Sequence, residues 1–102
     1  MANDKPKRIQ LSRRRGYKKP LGAVVVSRPS KWGNRWRPGD VDVDGLTPMT
    51  AARAVERYRM DVALGNPGRK EIVSELRGKD LACWCKPGAP CHADVLLEIA
   101  NR

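Results

Sequence analysis

Residues 80–96, which read DLACWCKPGAPCHADVL, decide the fold of this chain. The apolar and aromatic residues of 80–85 predict a β-strand, and the Gly and Pro residues of 86–90 predict a loop. The residues after this loop have the apolar periodicity of a helix that runs to about Ala100. Such a loop lies at the carboxyl end of a strand and the amino end of a helix, where α/β folds place their ligand sites.

The rest of the chain predicts two further strands and two further helices. A polar–apolar alternation predicts a strand at 8–12, and the β-branched run 23–26 predicts a strand that is buried on both faces. Thr47, which is followed by proline, has the features of an N-cap and predicts a helix that continues through Leu64. Residues 69–76 predict a second, short helix that ends before a glycine.

The element order β-β-α-α-β-α predicts the fold class. We expect a small single-domain α/β protein with a sheet of about three or four strands and about three packed helices. Residues 8–102 are expected to form this domain, and residues 1–7 a loose N-terminal lead-in.

Composition excludes several classes of protein. The longest apolar run is much shorter than the roughly 20 residues of a membrane-spanning helix. The N-terminus lacks the apolar stretch of a signal peptide, so we expect a cytoplasmic location, in the host cytoplasm if the protein is phage-encoded. The chain has three cysteines, and this odd number argues against a disulfide framework.

The formal net charge of the 102-residue chain is +10, and the excess lies in its first third. Residues 1–37 contain twelve Lys or Arg and one acid, Asp4, whereas residues 38–102 contain nine basic and ten acidic residues. A field of this kind attracts polyanions, among which nucleic acids and phosphorylated nucleotides are the expected partners. The alternative is that the cationic side chains only keep a small protein in solution.

Aromatic and amide side chains are interleaved with these cations. Bases stack on aromatic rings while Lys and Arg meet phosphates, so the mixture predicts a nucleic-acid or nucleotide site. The candidate binding residues are Arg13, Arg14, Arg15, Lys18, Lys19, Lys31, Trp32, Asn34, Arg35, Trp36 and Arg37. Gly33 and Asn34 permit a positive-φ turn that would direct backbone N–H groups towards an anion. Alternatively, Trp32 and Trp36 anchor a long loop on the sheet; Trp84 is expected in the core.

All the cysteines and the single histidine fall within ten residues, as Cys83, Cys85, Cys91 and His92. Three interpretations stay open. Three thiolates and an imidazole are a ligand set for structural zinc, although adjacent residues diverge on a helix. Alternatively, Cys91 at a helix N-terminus, with His92 beside it and Cys85 facing it, is a reactive thiol. In the third interpretation the cysteines pack in the core and His92 caps the helix or binds a ligand.

Several of these motifs together resemble a known family of small proteins, which is carried by phages and bacteria and catalogued as a domain of unknown function. The matching segments are 9–13, KWGN at 31–34, 76–81, CWC at 83–85 and CHADVL at 91–96. The resemblance covers about residues 8–101 and implies no particular activity. The family more often has proline and an aromatic residue after KWGN, where this chain has Arg35 and Trp36, so we expect a different turn here.

Three functional hypotheses follow. The first is a small basic phage-type protein that engages nucleic acid or a phosphorylated nucleotide through one contiguous N-terminal Arg/Lys/Trp surface. The second is an enzyme that processes a nucleotide or nucleoside, with Cys85, Cys91 and His92 at its pocket. The third is a phage protein that binds and inhibits a host protein. Sequence-specific reading of DNA is not expected, because the chain has neither helix-turn-helix nor zinc-finger spacing.

Overall fold

The computed structural model of this protein describes residues 6–28, 30–86 and 88–102. Residues 1–5 of the predicted lead-in lie outside these ranges. Within them the chain forms three strands and three helices, which confirms the predicted α/β class. The elements are β1 (Arg8–Gln10), β2 (Val24–Val25), α1 (Ala51–Ala63), α2 (Arg69–Leu76), β3 (Leu81–Cys83) and α3 (His92–Ala100). None of these described helices is long and apolar enough to cross a membrane.

The three strands form one parallel sheet with the order β1-β3-β2. The central position of β3 is explained by its composition, because all three of its residues are apolar and all three are buried. Ala82 is in register with Ile9 on one side and with Val25 on the other. The prediction that residues 23–26 are buried on both faces is wrong, since β2 is an edge strand and Val25 is 37% exposed. The strand that is covered on both faces is β3.

The hydrophobic core lies where α3 meets the sheet and the other two helices. Val95, Leu96 and Ile99 form the apolar stripe of α3, as their spacing predicts, and all three are buried. Ile72 and Leu76 of α2 are buried in the same cluster. Each fully buried aliphatic side chain contributes about 1.5–3 kcal/mol, so α3 supplies a large part of the stability of the core.

The first helix begins later than the sequence predicts. Thr47 is not its N-cap, because the backbone N–H and the hydroxyl of Thr47 both donate to the carboxylate of Asp44. Pro48 pairs with Val41 in an isolated β-bridge instead of opening the helix. Thr50 is the N-cap, and its side chain accepts a hydrogen bond from the Arg53 N–H at 3.1 Å. The second and third helices have their predicted extents.

Gly33 is a glycine for a different reason from the one predicted. Its φ does not lie in the left-handed region, so the predicted positive-φ turn at Gly33 is wrong. The reason is instead a close approach of the backbone. A Cβ at Gly33 would lie 2.7 Å from Cγ and 2.9 Å from Cα of Arg28. The loop after β2 therefore folds back on its own beginning, and only glycine fits at the crossing.

We expect Gly33→Ala to destabilise the protein by about 1–3 kcal/mol, because the added methyl group forces the backbone of Arg28 to move. Gly68→Ala is the matched control, since a Cβ there would lie 3.8 Å from the nearest atom, the Gly65 carbonyl oxygen. Denaturant unfolding of the two variants measures the difference. Equal destabilisation would show that the close approach is not what requires glycine at position 33.

Candidate functional site

A pocket of about 210 Å³ opens at the carboxyl ends of β2 and β3. Because the three strands are parallel, the loops that follow them begin at the same edge of the sheet. The pocket is lined by the loop after β2, the beginning of α1, the end of β3 and the first residue of α3. This is the position that the strand–loop–helix pattern of the sequence predicts for a ligand site.

The three cysteines meet on one side of this pocket. Their sulfur atoms all lie within 4.8 Å of one another, and the Sγ atoms of Cys83 and Cys91 are 3.2 Å apart. Cys83 ends β3, Cys85 lies two residues further along the chain, and Cys91 is the N-cap of α3. Thiolates bound to tetrahedral zinc at about 2.3 Å would be about 3.8 Å apart, so the cluster has the dimensions of a metal site. It could hold a metal ion.

The short contact between the Cys83 and Cys91 sulfurs shifts the pKa values of these two thiols in opposite directions. The hydrogen bond between the two thiols lowers the pKa of Cys83 to about 6 and raises the pKa of Cys91. Burial raises the pKa of the Cys85 thiol. A metal ion would replace the shared proton and draw all three sulfurs into the thiolate form.

His92 lies beside the cysteine cluster and not within it. Its Nε2 is 2.7 Å from the carbonyl oxygen of Val26, and because a carbonyl only accepts, Nε2 carries the hydrogen. Nδ1 is 3.9 Å from Cys91 Sγ, but the imidazole does not join the group of mutually close ligand atoms. Burial lowers the pKa of His92. The structure therefore brings together three of the four predicted ligands, and His92 holds the start of α3 against the end of β2.

Trp36 lines the pocket, and a hydrogen bond and a neighbouring guanidinium hold its ring. Its indole Nε1 donates to Asp61 Oδ2 at 2.9 Å, and the guanidinium of Arg35 donates to both oxygens of the same carboxylate at 2.9 and 2.8 Å. Arg35 also lies over the Trp36 ring, 4.5 Å from its centroid. Asp61 is buried, and its hydrogen bonds with Arg35 hold its pKa below the usual range. One carboxylate thus orients the ring and neutralises a predicted binding cation.

Two other predicted binding residues have structural roles. Trp32 is 4% exposed and belongs to the core, and its carbonyl oxygen accepts a hydrogen bond from Tyr58 at 2.7 Å. The Asn34 amide donates to the Ala54 carbonyl at 3.0 Å, and its oxygen accepts from the Trp36 N–H at 3.0 Å. Asn34 therefore ties the loop after β2 to α1. Trp32 therefore has the role given by the alternative prediction, in which a tryptophan anchors this loop.

The predicted cations fall into two groups. Lys31 is paired with Glu71 and Glu75 of α2 at 3.1 and 2.7 Å, and Arg35 is paired with Asp61, so these two charges are engaged within the protein. Lys19 donates to the Ala23 carbonyl. The others are exposed and form no ion pair among the described residues; they are Arg13, Arg14, Arg15, Lys18 and Arg37.

Two site residues were not predicted. Arg28 lines the pocket, is exposed, and has no carboxylate partner within the described ranges. Its position in the loop that follows β2 is the signal that could have identified it. Trp84 also lines the pocket and is 46% exposed, so the prediction of a core residue is wrong. Strand alternation explains this, because Cys83 points into the core. The guanidinium of Arg13 lies 5.0 Å from the centroid of the Trp84 ring.

Arg8 holds the loop between Cys85 and Cys91. Its guanidinium donates to the carbonyl oxygens of Lys86 and Ala89 at 2.9 and 2.8 Å and to the Asp94 carboxylate at 2.9 Å. The Arg8 side chain is only 12% exposed. A residue of the first strand therefore fixes the segment that joins the two ends of the cysteine cluster.

We expect Asp61→Asn to lower the free energy of unfolding by about 1–2 kcal/mol at pH 7, because it leaves Arg35 without its charged partner. The pKa of Asp61 is lowered in the folded state. Its contribution is therefore present above its unfolded pKa of about 3.9 and is lost as the pH falls through the folded value. Denaturant titrations at several pH values should show the gap between wild type and variant closing below about pH 4. A gap that is independent of pH would contradict this account.

Comparison with known proteins identifies a family and no characterised relative. No curated protein and no solved structure matches this chain. Residues 9–102 match the model of a family described as Domain of unknown function (DUF4326). The match covers almost the whole chain, including the cysteine cluster and the residues that wall the pocket. The protein belongs to the DUF4326 family.

Proposed function

We propose that this protein binds a phosphorylated nucleotide in the pocket at the carboxyl edge of its sheet. The observation that carries the proposal is the presence in one pocket of a fixed indole ring, Trp36, and an arginine without a carboxylate partner among the described residues, Arg28. A nucleotide needs both features, because its base is a flat aromatic surface and its phosphate is an anion.

The apolar side of the pocket suits a base. The Trp36 ring is held in place by Asp61, so little conformational freedom would be lost when a base stacks on it. Ala51, Ala54 and Val55 of α1 add further apolar lining. Stacking of a base on an aromatic side chain contributes about 1–3 kcal/mol. The volume of about 210 Å³ favours a single base over a longer ligand.

The charged side of the pocket suits a phosphate. Arg28 presents a guanidinium, which binds phosphate oxygens through two parallel hydrogen bonds. Arg13, stacked on Trp84, places a second guanidinium beside the pocket wall.

A mononucleotide is favoured over a nucleic-acid strand. A strand would be held along a row of cations, but Lys31 and Arg35 of the predicted surface are engaged by Glu71, Glu75 and Asp61.

A phage origin, a cytoplasmic location and a host-protein partner stay predictions of the sequence.

We expect Arg28→Ala to weaken nucleotide binding by about tenfold or more, since a hydrogen bond to a charged group contributes about 1.5–3 kcal/mol. Arg28→Lys should retain part of the affinity. Arg69→Ala, which removes an exposed arginine from α2, is the control and should bind as wild type does. Calorimetric titration with AMP, GMP, CMP and UMP, and with the corresponding nucleosides, measures the effect.

The proposal is contradicted if none of these nucleotides binds. A single-stranded oligonucleotide that binds with a steep salt dependence, in the absence of mononucleotide binding, would support a nucleic-acid partner instead.

We also propose that the metal held by the cysteine cluster is zinc. Three sulfurs within 4.8 Å of one another support this, because thiolates are ligands that zinc prefers and zinc accepts a tetrahedral arrangement. In a domain of this size, a bound ion would also join the end of β3 to the start of α3, where the core is built.

Native mass spectrometry should find one zinc ion per chain, and a chelator should lower the melting temperature. Cys85→Ser is the preferred variant, because Cys85 is only half-buried and its loss disturbs the core least. We expect it to lower zinc affinity by at least tenfold. Glu98→Gln is the control, since this carboxylate of α3 pairs with Arg59, lies away from the cysteine loop and should not affect zinc. A chain that stays at its bare mass in the presence of zinc would contradict the proposal.

A further inference from the structure

We infer that the ion bound by Cys83, Cys85 and Cys91 keeps its fourth coordination position open to the pocket, where a ring nitrogen of the bound base occupies it. This inference rests on the proposed zinc site and the proposed nucleotide pocket, and it joins them into one site. The inference goes beyond these two proposals, because in it the nucleotide binds directly to the metal ion.

Within the described part of the chain, the cluster offers three ligands, Cys83, Cys85 and Cys91, and no fourth lies equally close. Closed structural zinc sites have four protein ligands, whereas sites that bind exchangeable molecules have three. No Asp or Glu lines the pocket among the described residues. His92 is the remaining candidate. Its Nε2 is engaged by the Val26 carbonyl at 2.7 Å, so Nδ1 is the nitrogen with a free lone pair; Nδ1 is 3.9 Å from Cys91 Sγ but stays outside the group in which all ligand atoms lie within 4.8 Å of one another.

The cysteines lie on the pocket side of the core. All three line the pocket; Cys83 and Cys91 are buried, and Cys85 is half-buried. An ion held among these sulfurs has protein on the side of β3 and α3. The remaining side is the pocket, which contains space for a further donor atom.

Charge decides which part of a nucleotide approaches the ion. A dipositive ion with three thiolates has one net negative charge, so it repels phosphate oxygens and accepts a neutral nitrogen donor. The phosphate is then left to Arg28, on the same pocket. The base therefore enters along the Trp36 ring with a ring nitrogen directed at the cysteines, which gives the nucleotide one orientation.

Cobalt substitution tests the inference, because the visible absorption bands of Co²⁺ report its coordination. We expect one Co²⁺ per chain and a saturable change in the spectrum on titration with imidazole, which serves as a minimal nitrogen heterocycle. The same change is expected with the mononucleotide that binds most tightly. A bound metal should raise the affinity for that nucleotide by at least tenfold over the metal-free protein.

A variant that narrows the pocket distinguishes binding of the metal from binding of its fourth ligand. Ala51 is half-buried and lines the pocket, whereas Ala52 is exposed and does not. We expect Ala51→Leu to bind Co²⁺ as wild type does but to need at least tenfold more imidazole for the same spectral change. Ala52→Leu is the matched control and should leave both properties unchanged.

The outcomes separate this inference from the proposals on which it rests. Bound Co²⁺ with a spectrum that imidazole does not alter would show a closed site and overturn the inference. Equal nucleotide affinity with and without metal would overturn it too, while the proposed nucleotide function stands. X-ray absorption that finds a histidine ligand before imidazole is added would overturn it and make His92 the fourth ligand. A response to imidazole without binding of any nucleotide would overturn the nucleotide proposal, and with it the base as the fourth ligand, while the open position would stand.

Discussion

The central strand β3 has to satisfy backbone hydrogen bonds on both of its edges, and the rest of the structure is arranged around this requirement. The Leu81 N–H donates to the Lys7 carbonyl at 3.0 Å, and the Ala82 carbonyl accepts from the Val26 N–H at 2.9 Å. Because both partner strands are parallel to β3, all three strands end at the same edge. Loops that are far apart in the sequence therefore start side by side. The pocket, the thiols and the two exposed guanidiniums near them follow from that arrangement.

Charged side chains of this protein also form ion pairs that hold its irregular segments in place. Several arginines and lysines are paired with carboxylates that lie far away in the sequence, and these pairs attach the long segment between β2 and α1 to the helices. Asp42 pairs with Arg53 and Arg57 of α1, and Lys31 pairs with two glutamates of α2. The exposed pairs of Lys31 add little stability individually, but together with the largely buried Asp42–Arg57 pair they define the position of an irregular loop. The net charge of the chain therefore suggests a larger anion-binding surface than the unpaired Lys and Arg side chains provide.

Local patterns in the sequence predict the helices well and the site only in part. The extents of α2 and α3 follow from apolar periodicity and from the residues that end them. The start of α1 could not be predicted, because Asp44 competes for the hydrogen bonds of Thr47. The gathering of the cysteines follows from strand alternation and helix position. The roles of the other site residues depend on partners that no local pattern reveals. His92 bonds to a carbonyl 66 residues earlier in the chain, and Trp36 is oriented by an aspartate on a different element.

Arg8 makes structural contacts although it lies just outside the residues that match the family. The family match starts at residue 9, yet the side chain immediately before it closes the loop that separates Cys85 from Cys91. The carbonyl of Lys7 accepts the first hydrogen bond of β3. A fragment trimmed to the matched residues would retain every thiol and both pocket tryptophans. It would nonetheless lack the side chain that holds the cysteine loop, so the contacts that fix this loop extend beyond the segment of sequence similarity.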